Sequence, residues 1–66
     1  MTLRELIESD LMRDDHEIIL KQSFHGCTAV RRGNWYQDHI LNEQNQEIDF
    51  LTFNGTTWNI ELKAVG

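Results

Sequence analysis

The side chains with the most chemical potential are three histidines, His16, His25 and His39, and a single cysteine, Cys27. Imidazole and thiolate are good zinc ligands. His25-Gly26-Cys27 places one of each at a spacing of two. Structural zinc sites use tight ligand pairs with two to four residues between them, and two such pairs. Here only Gly26 separates the two residues and no second pair exists, so a turn histidine beside a small packed cysteine is the expected reading, with no metal and no cofactor. Cys27 as a nucleophile with His25 or His39 as its base is the other chemistry these types allow. Nothing in the spacing supplies an orienting acid or an oxyanion hole. Free cysteine usually packs as a small hydrophobe, so the chain is expected not to be an enzyme.

Two further clusters could bind rather than catalyse. Arg31, Arg32, Trp35 and Tyr36 surround Gly33-Asn34. Arginines hold phosphates and aromatics stack on bases in nucleic-acid readers. The same residue types dominate protein–protein hot spots. If the segment is extended, Trp35 and Tyr36 point to opposite faces, and one of them is exposed. The second cluster is acidic: Glu5, Glu8, Asp10, Asp14, Asp15 and Glu17. Asp14 and Asp15 with their neighbours could imitate phosphates and occupy a basic groove. The plain alternative is a solvated helix face and turn, with Glu5 favoured by the helix dipole. The three aspartates do not match a calcium-binding EF-hand loop.

Charge weighs between these readings. The 66 residues carry 11 acids against 6 Lys and Arg, a formal charge of −5. The excess is unevenly spread. Residues 1–17 are acidic, whereas residues 18–40 hold Lys21, Arg31 and Arg32 against Asp38 alone. An acidic total disfavours nucleic acid, whose binding requires neutralised phosphates. A protein partner is expected instead. No apolar run reaches the length of a membrane span, and the acidic, amphipathic opening is unlike a signal peptide. With one cysteine there is no internal disulfide, and a cytoplasmic location is expected.

The elements that position these residues follow from pattern. Thr2 and Glu5 make a T-x-x-E capping box, and Leu3, Leu6, Ile7 and Leu11 fall at helical spacing. A helix is expected from Leu3 to about Ser9, or as far as Met12, with Arg4 and Glu8 paired on its surface. Asp14-Asp15 ends it. Glu17-Ile18-Ile19-Leu20-Lys21 reads as a strand that Phe24 extends, His25-Gly26 as a turn, and Thr28–Arg31 as a second strand. Arg32-Gly33-Asn34 reads as a turn, Trp35–Leu41 as a third strand of weak alternation, and 42–46 as a loop.

The opening Met1-Thr2-Leu3-Arg4-Glu5-Leu6-Ile7, followed by Asp14-Asp15-His16-Glu17-Ile18-Ile19-Leu20, resembles that of small phage, prophage and bacterial accessory proteins. These begin with a capped helix, an acidic turn and a strand. The proline usual in that turn is missing here. The resemblance implies a small accessory gene product and carries over no functional residue.

The C-terminal third holds the clearest signal, two alternating arms around Asn54-Gly55. Trp58, Ile60, Leu62 and Ala64 share one face. A two-residue loop pairs Leu51 with Trp58 and sets Asp49 against Ile60. A three-residue loop, Phe53-Asn54-Gly55, pairs Phe50 with Trp58 and Ile48 with Ile60, and places Glu47 opposite Glu61. A one-residue slip exchanges the faces, so burial favours the three-residue loop.

The expected architecture is one α+β domain over residues 1–66. An N-terminal helix packs on a four- or five-stranded antiparallel meander, with Leu3, Leu6 and Ile7 against the hairpin. A small SH3-like or OB-like barrel with a helix is the alternative. A chain of this length buries only about 60% of its unfolded surface. A meander leaves two edge strands, so a homodimer through an edge is expected. The function expected is a non-enzymatic protein-interaction module; the alternatives are a nucleic-acid binder using Arg31, Arg32 and Trp35, or an acidic inhibitor of a nucleic-acid enzyme.

Overall fold

The computed structural model describes residues Met1–Val65. Its elements are α1 (Leu3–Glu8), β1 (Glu17–Phe24), β2 (Cys27–Gly33), α2 (Asp38–Leu41), β3 (Ile48–Phe53) and β4 (Thr57–Leu62). The chain is α+β, with short helices and a four-stranded mixed sheet in the order β2-β1-β4-β3.

Helix α1 begins as its sequence requires. Glu5 N–H donates to Thr2 Oγ1 at 3.2 Å, and Thr2 N–H donates to Glu5 Oε1 at 3.1 Å. The remaining first-turn donors go to the segment before β3: Leu3 N–H to the Gln46 carbonyl and Arg4 N–H to that of Gln44. The helix stops at Glu8, with Ser9 as C-cap. Asp10 then takes a left-handed conformation, φ 63°, which turns the chain out of helical phase. Met12 is thereby buried and Leu11 left exposed, the reverse of the stripe expected from helical spacing.

The expected all-antiparallel meander is corrected by the central pair. β1 and β4 run parallel, with Ile18 beside Trp58 and Leu20 beside Ile60. β2 pairs antiparallel with β1, and β3 antiparallel with β4. The cause is burial. Ile18, Leu20 and Gln22 of β1 and Trp58, Ile60 and Leu62 of β4 all lie in the interior. A meander would put β1 at an edge. The observed order centres the two most apolar strands and leaves the mostly exposed β2 and β3 outside.

That order forces the chain to cross from one edge of the sheet to the other. The crossover occupies the segment expected as a third strand, Trp35–Leu41. It is instead a turn and the single helical turn α2, followed by reverse turns to Gln46. Its alternation was weak because one residue decides its placement: Ile40 is fully buried under the sheet, and its neighbours face solvent or the rim. Arg32 and Gly33, expected in a turn, continue β2.

The C-terminal hairpin adopts neither expected register. Phe53 pairs with Trp58 and Leu51 with Ile60, and Asn54, Gly55 and Thr56 connect the strands. The loop is built on Asn54, whose Oδ1 accepts from the backbone N–H groups of Thr56 at 3.1 Å and Thr57 at 2.8 Å. Further along, the register shifts between Ile48 and Phe50. A bulge at Asp49 therefore takes the carboxylate out of the ladder and returns Ile48 to the same face as Leu51. Phe50, expected against Trp58, faces the other way and is 59% exposed. The Glu47–Glu61 confrontation does not arise.

Both helices and the 9–16 segment cover one sheet face. The core there comprises Leu3, Leu6, Met12, Ile18, Leu20, Ile40, Trp58, Ile60 and Leu62, with Ile7, Trp35, Ile48 and Leu51 packed against it. No helix among the described residues covers the opposite face of the sheet.

Candidate functional site

The histidines and the cysteine do not assemble. His25 and Cys27 sit at the tip of the β1–β2 hairpin, where His25 (φ 46°) and Gly26 (φ 90°) form the two-residue turn. Cys27 is exposed rather than packed: it opens the edge strand β2 directly after the turn. His16 precedes the far end of β1, across that strand's length from His25, about 26 Å at some 3.3 Å per strand residue, and His39 contacts Arg32, five residues along β2 from Cys27. Among the described residues no group of three His, Cys, Asp or Glu side chains is placed to hold a metal ion.

His16 and His39 have structural partners. His16 Nδ1 accepts from the Trp58 indole N–H and from Arg13 N–H, both at 3.2 Å. Its proton is therefore on Nε2. Its ring lies 4.8 Å from that of Phe53, which stacks on Trp58 at 4.3 Å. His39 Nε2 meets the Arg32 carbonyl. A carbonyl only accepts, so this nitrogen carries a hydrogen.

The two clusters read from the sequence are partly brought together. Asp14 Oδ1 accepts from the Trp35 indole N–H at 2.9 Å. Asn34 Nδ2 donates to the carbonyls of Asp14 and His16, each at 3.0 Å. The acidic turn and the basic-aromatic turn thus form one knot, with Trp35 half-buried against the core and Tyr36 outside it, edge-on to Trp35 at 5.7 Å. Asp15 is exposed. The arginines are not brought together. Neighbours on a strand point to opposite faces: Arg31 is on the helix side, where it pairs with Glu43 at 3.2 Å, and Arg32 is on the uncovered side.

The uncovered face holds residues that the sequence reading did not single out. Directly paired residues share a face, so one row across the four strands reads Val30, Lys21, Glu61, Phe50. The row beside it reads Arg32, Ile19, Asn59, Thr52. Val30 is 53% exposed, near the 59% of Phe50. A shallow depression of about 220 Å³ opens beside the Phe50 ring, lined by Lys21, Thr52, Asn59 and Glu61. The face is apolar at two edge positions and charged between them. Two signals pointed to it. Ile18-Ile19-Leu20 has three apolar residues in a row, which must place one on the second face. Phe50 and Leu51 are adjacent apolar residues on one strand, which likewise must place one of them on the second face.

No helix of the described residues is long and apolar enough to cross a membrane. No protein family, curated protein or solved structure matches the chain.

Proposed function

We propose that this chain is a non-enzymatic protein-binding module whose recognition surface is the uncovered sheet face. The observation that carries this reading is the outward Phe50, more than half exposed beside a charged depression. An aromatic anchor with a mixed-charge surround is the usual composition of a protein hot spot. Lys21, Arg32 and Glu61 would set orientation and exclude wrong partners. A small phage-type accessory protein is compatible with such a role.

The test is capture of binding proteins on the immobilised chain, with Phe50→Ser compared against Tyr36→Ser. Neither side chain is in the core, so both variants should keep the fold, as checked by circular dichroism. Losing the anchor should weaken capture about tenfold or more, with Tyr36→Ser near wild type. Loss in Tyr36→Ser alone would move the site to the Trp35–Tyr36 turn. Retention on DNA or RNA that falls steeply with salt would replace protein binding by nucleic-acid binding.

A further inference from the structure

We infer that the outer edge of β2 pairs with the same edge of a second copy of this chain, antiparallel, with Ala29 at the two-fold axis. This is an interface distinct from the Phe50 surface and does not rest on it.

The backbone of the edge decides the register. Ser23 O accepts from Val65 N–H at 2.8 Å, His25 N–H donates to Val65 O at 3.1 Å, and Glu17 N–H to Thr56 O at 3.0 Å. The odd-numbered residues of β1 therefore direct their backbone groups away from β2, and the even-numbered ones toward it. Their partners in β2 are Cys27, Ala29, Arg31 and Gly33. Thr28, Val30 and Arg32 are left with backbone groups pointing outward. The Arg32 carbonyl on that side is occupied by His39. The N–H and C=O groups of Thr28 and Val30 remain for a new strand.

A second β2 satisfies these four groups without needing the sealed one. With Ala29 opposite Ala29 of the second copy, Thr28 faces Val30 and Val30 faces Thr28. Each pair exchanges two hydrogen bonds, and Ala29 occupies the closer, non-hydrogen-bonded position. Shifting the axis to Val30 would instead aim Thr28 N–H at the Arg32 carbonyl that His39 already holds. In the favoured register the partner strand reaches its His25-Gly26 turn opposite Arg32, so it ends where His39 begins to cover the edge.

The side chains agree. Val30, exposed in the single chain, meets Thr28 on the uncovered face. On the helix face the small Ala29 pair leaves room, and Arg31 is held aside by Glu43. The two Arg32 residues stand six positions apart, about 20 Å, so like charges do not face one another. The edge has no proline and no bulge, two of the usual guards against pairing, and its charged residues lie at one end, in Arg31 and Arg32. Two sheets joined this way form one eight-stranded sheet with a continuous uncovered face.

Stable interfaces bury about 1,200–2,000 Å², and one short strand pair covers less, so association is weak and the experiment is run concentrated. Sedimentation equilibrium up to about 1 mM chain should show a monomer–dimer equilibrium. Val30→Pro removes an outward N–H without touching the bonds to β1, and should abolish the dimer while the circular dichroism stays native. Disulfide trapping reads the register whether or not that variant folds. Cα atoms at a non-hydrogen-bonded pair lie about 4.5 Å apart, within disulfide range. Cys27→Ser/Ala29→Cys should therefore oxidise to a covalent dimer, and Cys27→Ser/Val30→Cys should give at least tenfold less. Monomer at every concentration, a dimer unaffected by a folded Val30→Pro, or preferential trapping through Val30→Cys would each overturn the proposal.

Discussion

Replacing Gly33 by alanine probes how the crossover is fastened to the sheet. Gly33 lies at the end of β2, opposite Ile18. A Cβ there would overlap Gln37 Oε1 outright and lie 2.6 Å from His39 Nε2 and 2.9 Å from His39 Cε1. Both contacts are side-chain tips that could swing away, but each tip is engaged. Gln37 Oε1 accepts from Asn34 N–H at 2.7 Å, and His39 holds the Arg32 carbonyl. Withdrawing both loses two hydrogen bonds, about 1 kcal/mol each. Against this, alanine restricts the unfolded chain and returns about 0.4–1 kcal/mol. The net expectation is destabilisation by about 1–1.5 kcal/mol, a fall in urea midpoint of roughly 1 M at the slope of a small domain. The deciding measurement is the same substitution in a Gln37→Ala/His39→Ala background. There the obstructing tips are gone, so Gly33→Ala should become neutral or slightly stabilising. An equal loss in both backgrounds, or no loss in either, would refute the steric account.

Three other outcomes are expected. The Thr2 backbone N–H, with the Thr2 hydroxyl, holds the Glu5 carboxyl below the usual glutamate range. A depressed acid stabilises the fold above its unfolded pKa and loses that contribution as pH falls through the folded value. Glu5→Gln should therefore lower the urea midpoint at neutral pH, leave it nearly unchanged once pH falls below the folded pKa, and so flatten the acid limb of a plot of midpoint against pH. Gln22, buried between the helices and the sheet, donates to Lys63 O at 2.8 Å and Gln46 Oε1 at 3.3 Å. Gln22→Leu should cost about 1–3 kcal/mol in urea unfolding by stranding those acceptors, and should speed hydrogen exchange at Val65 N–H. Asn54→Ala should cost about 1 kcal/mol by removing the acceptor that closes the β3–β4 loop, whereas Asn54→Asp, which keeps it, should stay close to wild type.

The local elements were legible where a single short-range rule governed them. The capping box set the start of α1, the His25-Gly26 turn set the β1–β2 hairpin, and the alternation through Trp58, Ile60 and Leu62 set the buried face of β4. The candidate residues were less so. Asp14 and Trp35, read as parts of two separate clusters, are hydrogen-bonded to each other. Arg31 and Arg32, read as a pair, are divided between faces. Sequence adjacency says little about spatial adjacency on a strand, since each step reverses the side chain.

By itself the sequence determined the class of the fold, the first helix, two hairpins and which strands carry the apolar residues. All of these depend on contacts within about a turn or a hairpin. The tertiary structure alone decided that β1 and β4 lie side by side in parallel, that residues 35–41 cross over as a turn and helix, and that Phe50 faces outward. The reason is competition for one small interior. β1 and β4 both demanded its centre, so the polar-flanked segment between the hairpins had to span the sheet, held there by Ile40. The bulge at Asp49 then settled the last conflict, keeping a carboxylate out of the core and returning Ile48 to it, while the pairing of Leu51 with Ile60 left the Phe50 ring at the surface.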